Sequence, residues 1–185
     1  MENIFSKYDS SAFPYGTDKG TTHSYLSAYE VLFSSRQSDK IRLLEVGVWT
    51  GASLMAWGDY FTHADAEIYG VDIVNNIRFD LLKNPKIKYA TLDATRPDHL
   101  KNIDGNFDII IDDGSHTFSH QMTTLYLLKD RINENGLYII EDIQDESFVE
   151  HLQKFAESIG FSSEVIDTRP LKGRYDDIMI IFRKN

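Results

Sequence analysis

The sequence predicts an α/β fold in which a mostly parallel sheet is covered by helices on both faces. Two observations carry that prediction. Between residues 41 and 160, short apolar runs alternate with segments whose apolar residues recur every three or four positions. That alternation is the signature of strand–helix–strand units in a parallel sheet. At the first boundary, LLEVGVWTGAS (43–53) runs from an apolar stretch through Gly47 and Gly51 into an amphipathic segment. This reads as strand, tight glycine turn and helix, with a backbone that a ligand can approach closely and free N–H groups at the helix start.

Residues 1–20 are polar, lack a period, and carry the aromatics Phe5, Tyr8, Phe13 and Tyr15, with Pro14 and Gly16 as breaks. A disordered tail and a segment packed over the domain are both open readings. Residues 17–33 turn helical: Tyr25, Leu26, Tyr29, Leu32 and Phe33 share a face, and Thr21 or Thr22 can cap it. Strand 41–48 follows, then helix 52–61 with Leu54, Trp57 and Phe61, then strand 67–73 ending near Asp72. A short helix is expected at 77–82, a strand at 86–92, and one or two helical turns at 97–103. FDIIID (107–112) is a continuous apolar run, as expected of a strand covered on both faces. The clearest helix is 118–132, followed by strand 136–140 and by helix 147–159, which Gly160 stops. Strands 163–167 and 178–182 close the chain around the polar loop RPLKGRYDD. Seven strands in this order give a doubly wound, Rossmann-like sheet. The expected organisation is one domain, 1–185, with 1–35 as an N-terminal lid and helix.

Composition narrows the function. The 185 residues are 42% apolar, carry a formal net charge of −10 and include no cysteine. Thiolate metal sites and disulfides are excluded, and a reducing, cytoplasmic setting is expected. The acidic balance disfavours nucleic acid and an anionic membrane, and no apolar run approaches the ~20 residues of a membrane span. A small neutral or cationic ligand suits the charge better.

The acids fall in a pattern. The five strands between residues 41 and 140 end at Glu45, Asp72, Asp93, Asp112–Asp113 and Glu141–Asp142, and in a parallel sheet those ends share one edge, where ligands bind. Neither the Gly-Lys-Ser/Thr phosphate loop nor the G-x-G-x-x-G dinucleotide turn occurs. A ligand with ribose hydroxyls, an adenine amino group and positive charge, but no phosphate, fits such an edge. Asp72 is placed to accept from the ribose and Asp93 from the adenine. S-adenosylmethionine meets that description.

The stretches GTDKGTTHSYLSAYE, LLEVGVWTGASL, IYGVDI, IDDGSH and IIEDI resemble the class I S-adenosylmethionine-dependent methyltransferases. Within them they resemble the macrolide sugar O-methyltransferases and the cephalosporin hydroxylase/rhamnosyl methyltransferase group. The resemblance runs from Tyr15 to Ile143, and IDDGSH followed by IIEDI is its most specific part. It implies Glu45, Gly47 and Gly51 around the methionine part of the cofactor, Asp72 on the ribose, Asp93 near adenine, and Asp112 on the cofactor side. Trp49 departs from the middle glycine that many methyltransferases carry, and the macrolide enzymes have an added N-terminal domain.

Three carboxylates meeting at Asp113, Glu141 and Asp142 require protons or a cation between them. The resemblance implies a divalent metal there, commonly Mg²⁺, which suits all-oxygen ligands. His116, three residues after Asp113, is the candidate general base, with His120 the less favoured one. Thr17, Lys19, His23 and Tyr25 read either as a lid over the cofactor's carboxylate and amino end or as capping and core residues. Arg169, Lys172 and Arg174 read best as a solvated hairpin. The expected function is metal-dependent methyl transfer to a sugar or glycan hydroxyl. A phenol or catechol-like acceptor, or a cofactor-binding module without turnover, stands as the alternative. Homo-oligomerisation and membership of a larger protein both remain open.

Overall fold

The computed structural model describes residues 1–184; Asn185, the last residue of the expected domain, lies outside them. Seven strands form one sheet: β1 (Arg42–Val46), β2 (Glu67–Asp72), β3 (Ile87–Thr91), β4 (Phe107–Asp112), β5 (Ile132–Ile140), β6 (Phe161–Asp167) and β7 (Ile178–Lys184). Their spatial order is β3-β2-β1-β4-β5-β7-β6. The first five are parallel, and β7 runs antiparallel between β5 and β6. The chain winds outward from β1 to β3, then returns to β4 on the other side of β1. That reversal opens a crevice beyond the strands' carboxyl ends.

Strand alternation assigns the two faces. Leu43, Ile109, Ile111, Ile139 and Ile181 face α2 (Leu26–Phe33) and α3 (Ala52–Tyr60), where Trp57 packs edge-on against Phe5 and Tyr29. Leu44, Ile110, Ile140, Ile180 and Phe182 face α5 (Phe118–Leu128) and α6 (Ser147–Ser158). The inner strands β1, β4, β5 and β7 therefore bury both faces, which is why their runs read as continuous apolar stretches. The short helices α1 (Glu2–Phe5), α4 (Pro97–Leu100) and α7 (Arg169–Lys172) complete the fold. Among the described residues, no helix is long and apolar enough to cross a membrane.

Several expected boundaries move. The helix expected over 17–33 begins only at Leu26, and neither Thr21 nor Thr22 caps it. Residues 18–23 instead form a tight turn in which Thr21, Thr22 and His23 donate their N–H groups to Asp18 O. The first strand stops at Val46 because Gly47 takes φ +82°. The helix expected at 77–82 is a single 3-10 turn, Leu81–Lys83. β5 begins four residues earlier than read, at Ile132, since its pairing with β4 shifts register between Phe107 and Ile109. The polar loop 169–177 contains α7, closed by Gly173 at φ +72°. The N-terminal segment is packed rather than a tail: Phe5 is buried, and Tyr8 donates to Asp59 at 2.9 Å.

Candidate active site

Register brings the acidic strand ends to one rim. Val46 stands beside Val71 and Asp112, Asp72 beside Thr91, and Asp112 beside Ile140. A cavity of ≈ 800 Å³ opens there, within the usual size of small-molecule sites. Thr17, Gly47, Asp72, Asp93, Asp112, Asp113, His116 and Asp142 line it. Lys19, Glu45, Gly51 and Glu141, all expected to touch a ligand, stand behind its wall.

Side-chain parity gathers three of these acids on one face. Glu45 pairs with Ile111, and Ile111 with Ile139, so Glu45, Asp113 and Glu141 lie two residues apart from, or at, positions that face α2 and α3. They converge on Lys19, whose Nζ lies 2.6 Å from Asp113 Oδ2, 2.8 Å from Glu141 Oε2 and 3.3 Å from Glu45 Oε1. Tyr29 OH also donates to Glu141, and Ser53 Oγ to Glu45 at 2.7 Å. Lys19 is therefore an internal counter-ion, set behind the cavity lining. Glu45 reaches the cavity only through Ser53, which lines it. Burial disfavours the Lys19 ammonium, yet the adjacent Asp113, Glu141 and Glu45 outweigh it and hold the lysine well above its usual range. Burial pushes the Glu141 and Glu45 carboxyls up, against the opposing pull of Lys19.

Asp112 has the other parity. It turns to the opposite face, where Thr124 Oγ1 and Tyr138 OH donate to Oδ2 at 2.7 and 3.1 Å, and burial raises its carboxyl.

The glycine turn is held by Asp72. Its Oδ2 accepts the N–H groups of Val48 and Trp49 at 3.0 and 2.9 Å, and Oδ1 accepts Val74 N–H at 3.0 Å. Both lone pairs of Oδ2 are thereby engaged, and Oδ1 keeps one for a ligand hydroxyl. Asp93 accepts from the Thr95 N–H and hydroxyl through Oδ1, bonds that lower its pKa. Gly47 is sterically required: a Cβ there would lie 2.1 Å from Asp113 O. Gly51, at φ +87°, starts α3 and packs against Leu81.

At the other end of the cavity, one ligand atom each from Asp113, His116 and Asp142 lies within 4.8 Å of the others. His116 Nε2 is 4.0 Å from Asp142 Oδ2, too long for a hydrogen bond, and His116 Nδ1 is buried without a partner. Two carboxylates facing an imidazole whose Nδ1 lacks a partner fit a divalent cation. Burial, with Asp113 adding to it, raises the Asp142 carboxyl to about 6 against the pull of His23. His23 and Tyr25 do not reach the cavity. His23 Nδ1 sits 2.9 Å from Asp177 Oδ1 and 3.2 Å from Asp142 Oδ1, and Tyr25 OH donates to Asp142 Oδ1 at 2.6 Å.

A methyltransferase-domain family matches residues 44–143, the stretch from the glycine turn through the Glu141–Asp142 tip. The chain belongs to this methyltransferase-domain family. Over 170 residues it is 31% identical to the 8-demethyl-8-alpha-L-rhamnosyl tetracenomycin-C 2'-O-methyltransferase of Streptomyces olivaceus, covering 84% of this chain and 44% of that protein. Over 150 residues it is 35% identical to the mycinamicin VI 2''-O-methyltransferase of Micromonospora griseorubida, covering 77% of this chain and 36% of the relative. The chain thus spans less than half the length of these curated relatives. The fold superposes with TM-score 0.73 on the MycE methyltransferase of the mycinamycin pathway, solved in complex with Mg and SAH. That match is 24% identical and covers 98% of this chain and 55% of that one.

Three features of this methyltransferase domain had no sequence signal. Trp49, His116 and Asp142 all line the cavity with left-handed φ of 48°, 55° and 55°, a conformation that non-glycine residues adopt at a cost. The Lys19 counter-ion is visible only once strands far apart in sequence are assembled. Lys172, read as part of a solvated hairpin, instead donates to Gly20 O, Thr21 O and His23 O at 2.8, 2.8 and 2.5 Å and pins the N-terminal turn. Arg169 pairs with Asp167 and Glu146, and Arg174 with Asp176.

Proposed function

We propose that the chain moves the methyl group of S-adenosylmethionine to a hydroxyl of a sugar or glycan on a small molecule, with a divalent cation, Mg²⁺ by preference. The observation that carries this reading is one cavity bounded by the glycine turn with Asp72 and Asp93 at one end and by Asp113, His116 and Asp142 at the other. Relatives named for methylating sugar hydroxyls favour a sugar over a phenol. When bound, the cofactor supplies a sulfonium methyl and the cation lowers the pKa of a hydroxyl it holds.

In this reading the chain's own residues divide the work. Gly47 leaves the backbone open to the methionine part, Asp72 accepts from a ribose hydroxyl, and Asp93 accepts from the adenine amino group. Thr17 lines the same space from the N-terminal side. Asp113 and Asp142 carry the cation. Glu141, expected as a third ligand, is engaged by Lys19 and Tyr29 and joins only if that pairing opens. His116 takes the proton from the acceptor hydroxyl, and no side chain forms a covalent bond to the methyl group. Holding donor and acceptor at near-attack distance supplies several kcal/mol of the barrier reduction. Residues 1–185 act as one catalytic domain, with 1–35 as its lid, in the cytoplasmic setting that the cysteine-free composition suggests.

The test is a screen of deoxysugars, nucleotide sugars and glycosides with methyl-labelled cofactor, with and without EDTA. Labelled product that disappears in EDTA and in Asp113→Asn is the expected result; full turnover in EDTA removes the cation from the reaction. His116→Ala is expected to lose ~10²–10⁴-fold in kcat while calorimetry shows unchanged cofactor binding. Normal turnover in that variant clears His116 of the base role.

A further inference from the structure

Asp113 faces two ways. Behind the wall its Oδ2 lies 2.6 Å from Lys19 Nζ, and towards the cavity it belongs to the ligand group with His116 and Asp142. Lys19 is 1% exposed, and the side chains of Glu45 and Glu141 are 0% and 2% exposed. Asp113, at 22%, is the one member of this quartet that solvent reaches. The ammonium has three protons to give and three carboxylates around it, so one positive charge answers three acids. Glu141 also has Tyr29, and Glu45 has Ser53. Asp113 has no comparable second donor at hydrogen-bond distance among the described residues, so its carboxylate is the one most easily drawn away.

We propose that Lys19 is a built-in rival of the divalent cation: its ammonium holds Asp113 in place of the ion, and ion binding takes that carboxylate from it. The inference rests on the cation reading given above. An ion at an ordinary ligand distance of ~2.1 Å from the Asp113 carboxylate would stand within a few ångströms of Nζ, with the two cations repelling across one carboxyl group. Without the ion, Lys19 offsets part of the charge of this acid cluster, at the expense of ion affinity. Lys19 is thus a positioning residue for the site, acting through Asp113. Because it reaches Asp113 and Glu141 across 94 and 122 residues of sequence, the same contact ties the N-terminal turn to the ion's presence.

The experiment is calorimetric titration of Mg²⁺, and electron-spin titration of Mn²⁺, into the full chain and its Lys19→Met variant at pH 8. The expected result is at least tenfold tighter binding in Lys19→Met, with thermal stability lower than wild type without the ion and recovered by it. Equal or weaker binding in a folded variant overturns the inference, because a lysine that merely holds Asp113 in place would give that outcome. A second measurement needs no variant. In ¹⁵N-lysine-labelled wild-type protein the shielded Lys19 ammonium gives its own Nζ resonance, assigned with Lys19→Arg, and saturating Mg²⁺ is expected to shift or broaden it. A resonance unmoved at ion saturation also overturns the inference. Wild-type protein that binds neither ion brings down the cation reading itself, and the inference with it. Wild-type binding without a Lys19 effect brings down the inference alone.

Discussion

The two rims of the sheet use the same charged groups to opposite effect. On the amino rim, Glu67 at the start of β2 meets Arg42 at 2.9 Å and Lys88 at 3.1 Å, and Asp108 in β4 accepts from Arg42 N–H at 2.8 Å and Asn133 at 2.9 Å. These groups keep contact with water. The hydrogen bonds of Lys88 and Arg42 hold the Glu67 carboxyl below its usual range. On the carboxyl rim, Glu141 has a lysine partner at comparable distance, yet its carboxyl is pushed well up. The partner count does not decide the sign. Desolvation does: a water-facing carboxylate gains from each donor, while a buried one must first recover what removal from water costs. The amino rim is an ordinary solvated edge, and the carboxyl rim is a strained one whose excess acid is available to a ligand.

Glu141→Ala should break the contrast most severely. It leaves Lys19 short of a partner and Tyr29 without its acceptor, and about 3–5 kcal/mol of stability should go. Urea denaturation measures the loss, and a change under ~1 kcal/mol would place this rim in the same class as the amino rim. Asp72→Ala tests an intermediate case on the half-buried part of the carboxyl rim. Three backbone N–H groups lose their acceptor, so the domain should lose about 1–3 kcal/mol. Calorimetry should find S-adenosylmethionine binding abolished, and unchanged affinity would take Asp72 off the ribose. Glu67→Gln should be the mildest, at most ~1 kcal/mol. Because the folded carboxyl is held below its unfolded value, the stabilisation is present above the ordinary glutamate range and is lost as pH falls through the lowered value. Thermal melts should therefore separate variant and wild type at neutral pH and bring them together in acid, and salt should narrow the gap at neutral pH.

Much of this was legible in the chain. The apolar runs at Leu43–Leu44 and Ile109–Ile111 announced strands buried on both faces, and the acids following each run announced a shared rim. Gly47 announced a close approach, and the structure gives its object, the Asp113 carbonyl. The division of those acids between cavity and interior was less visible, although the ingredients were present. Glu45 and Asp112 end neighbouring strands, and register decides which face each takes. A single sequence does not print register between distant strands. The helix expected over 17–33 failed for a related reason: residues 18–23 give up helical bonds for contacts with Lys172 and Asp177, about 150 residues away.

What the sequence determined alone is local and periodic: seven apolar runs, the helices between them, the turn at Gly47 and the acids at the strand ends, all fixed by backbone geometry and the need to bury apolar surface. Tertiary structure decided which carboxylate meets which cation. That choice depends on where charges end up relative to water, and chain order carries no measure of such distances until the sheet has closed.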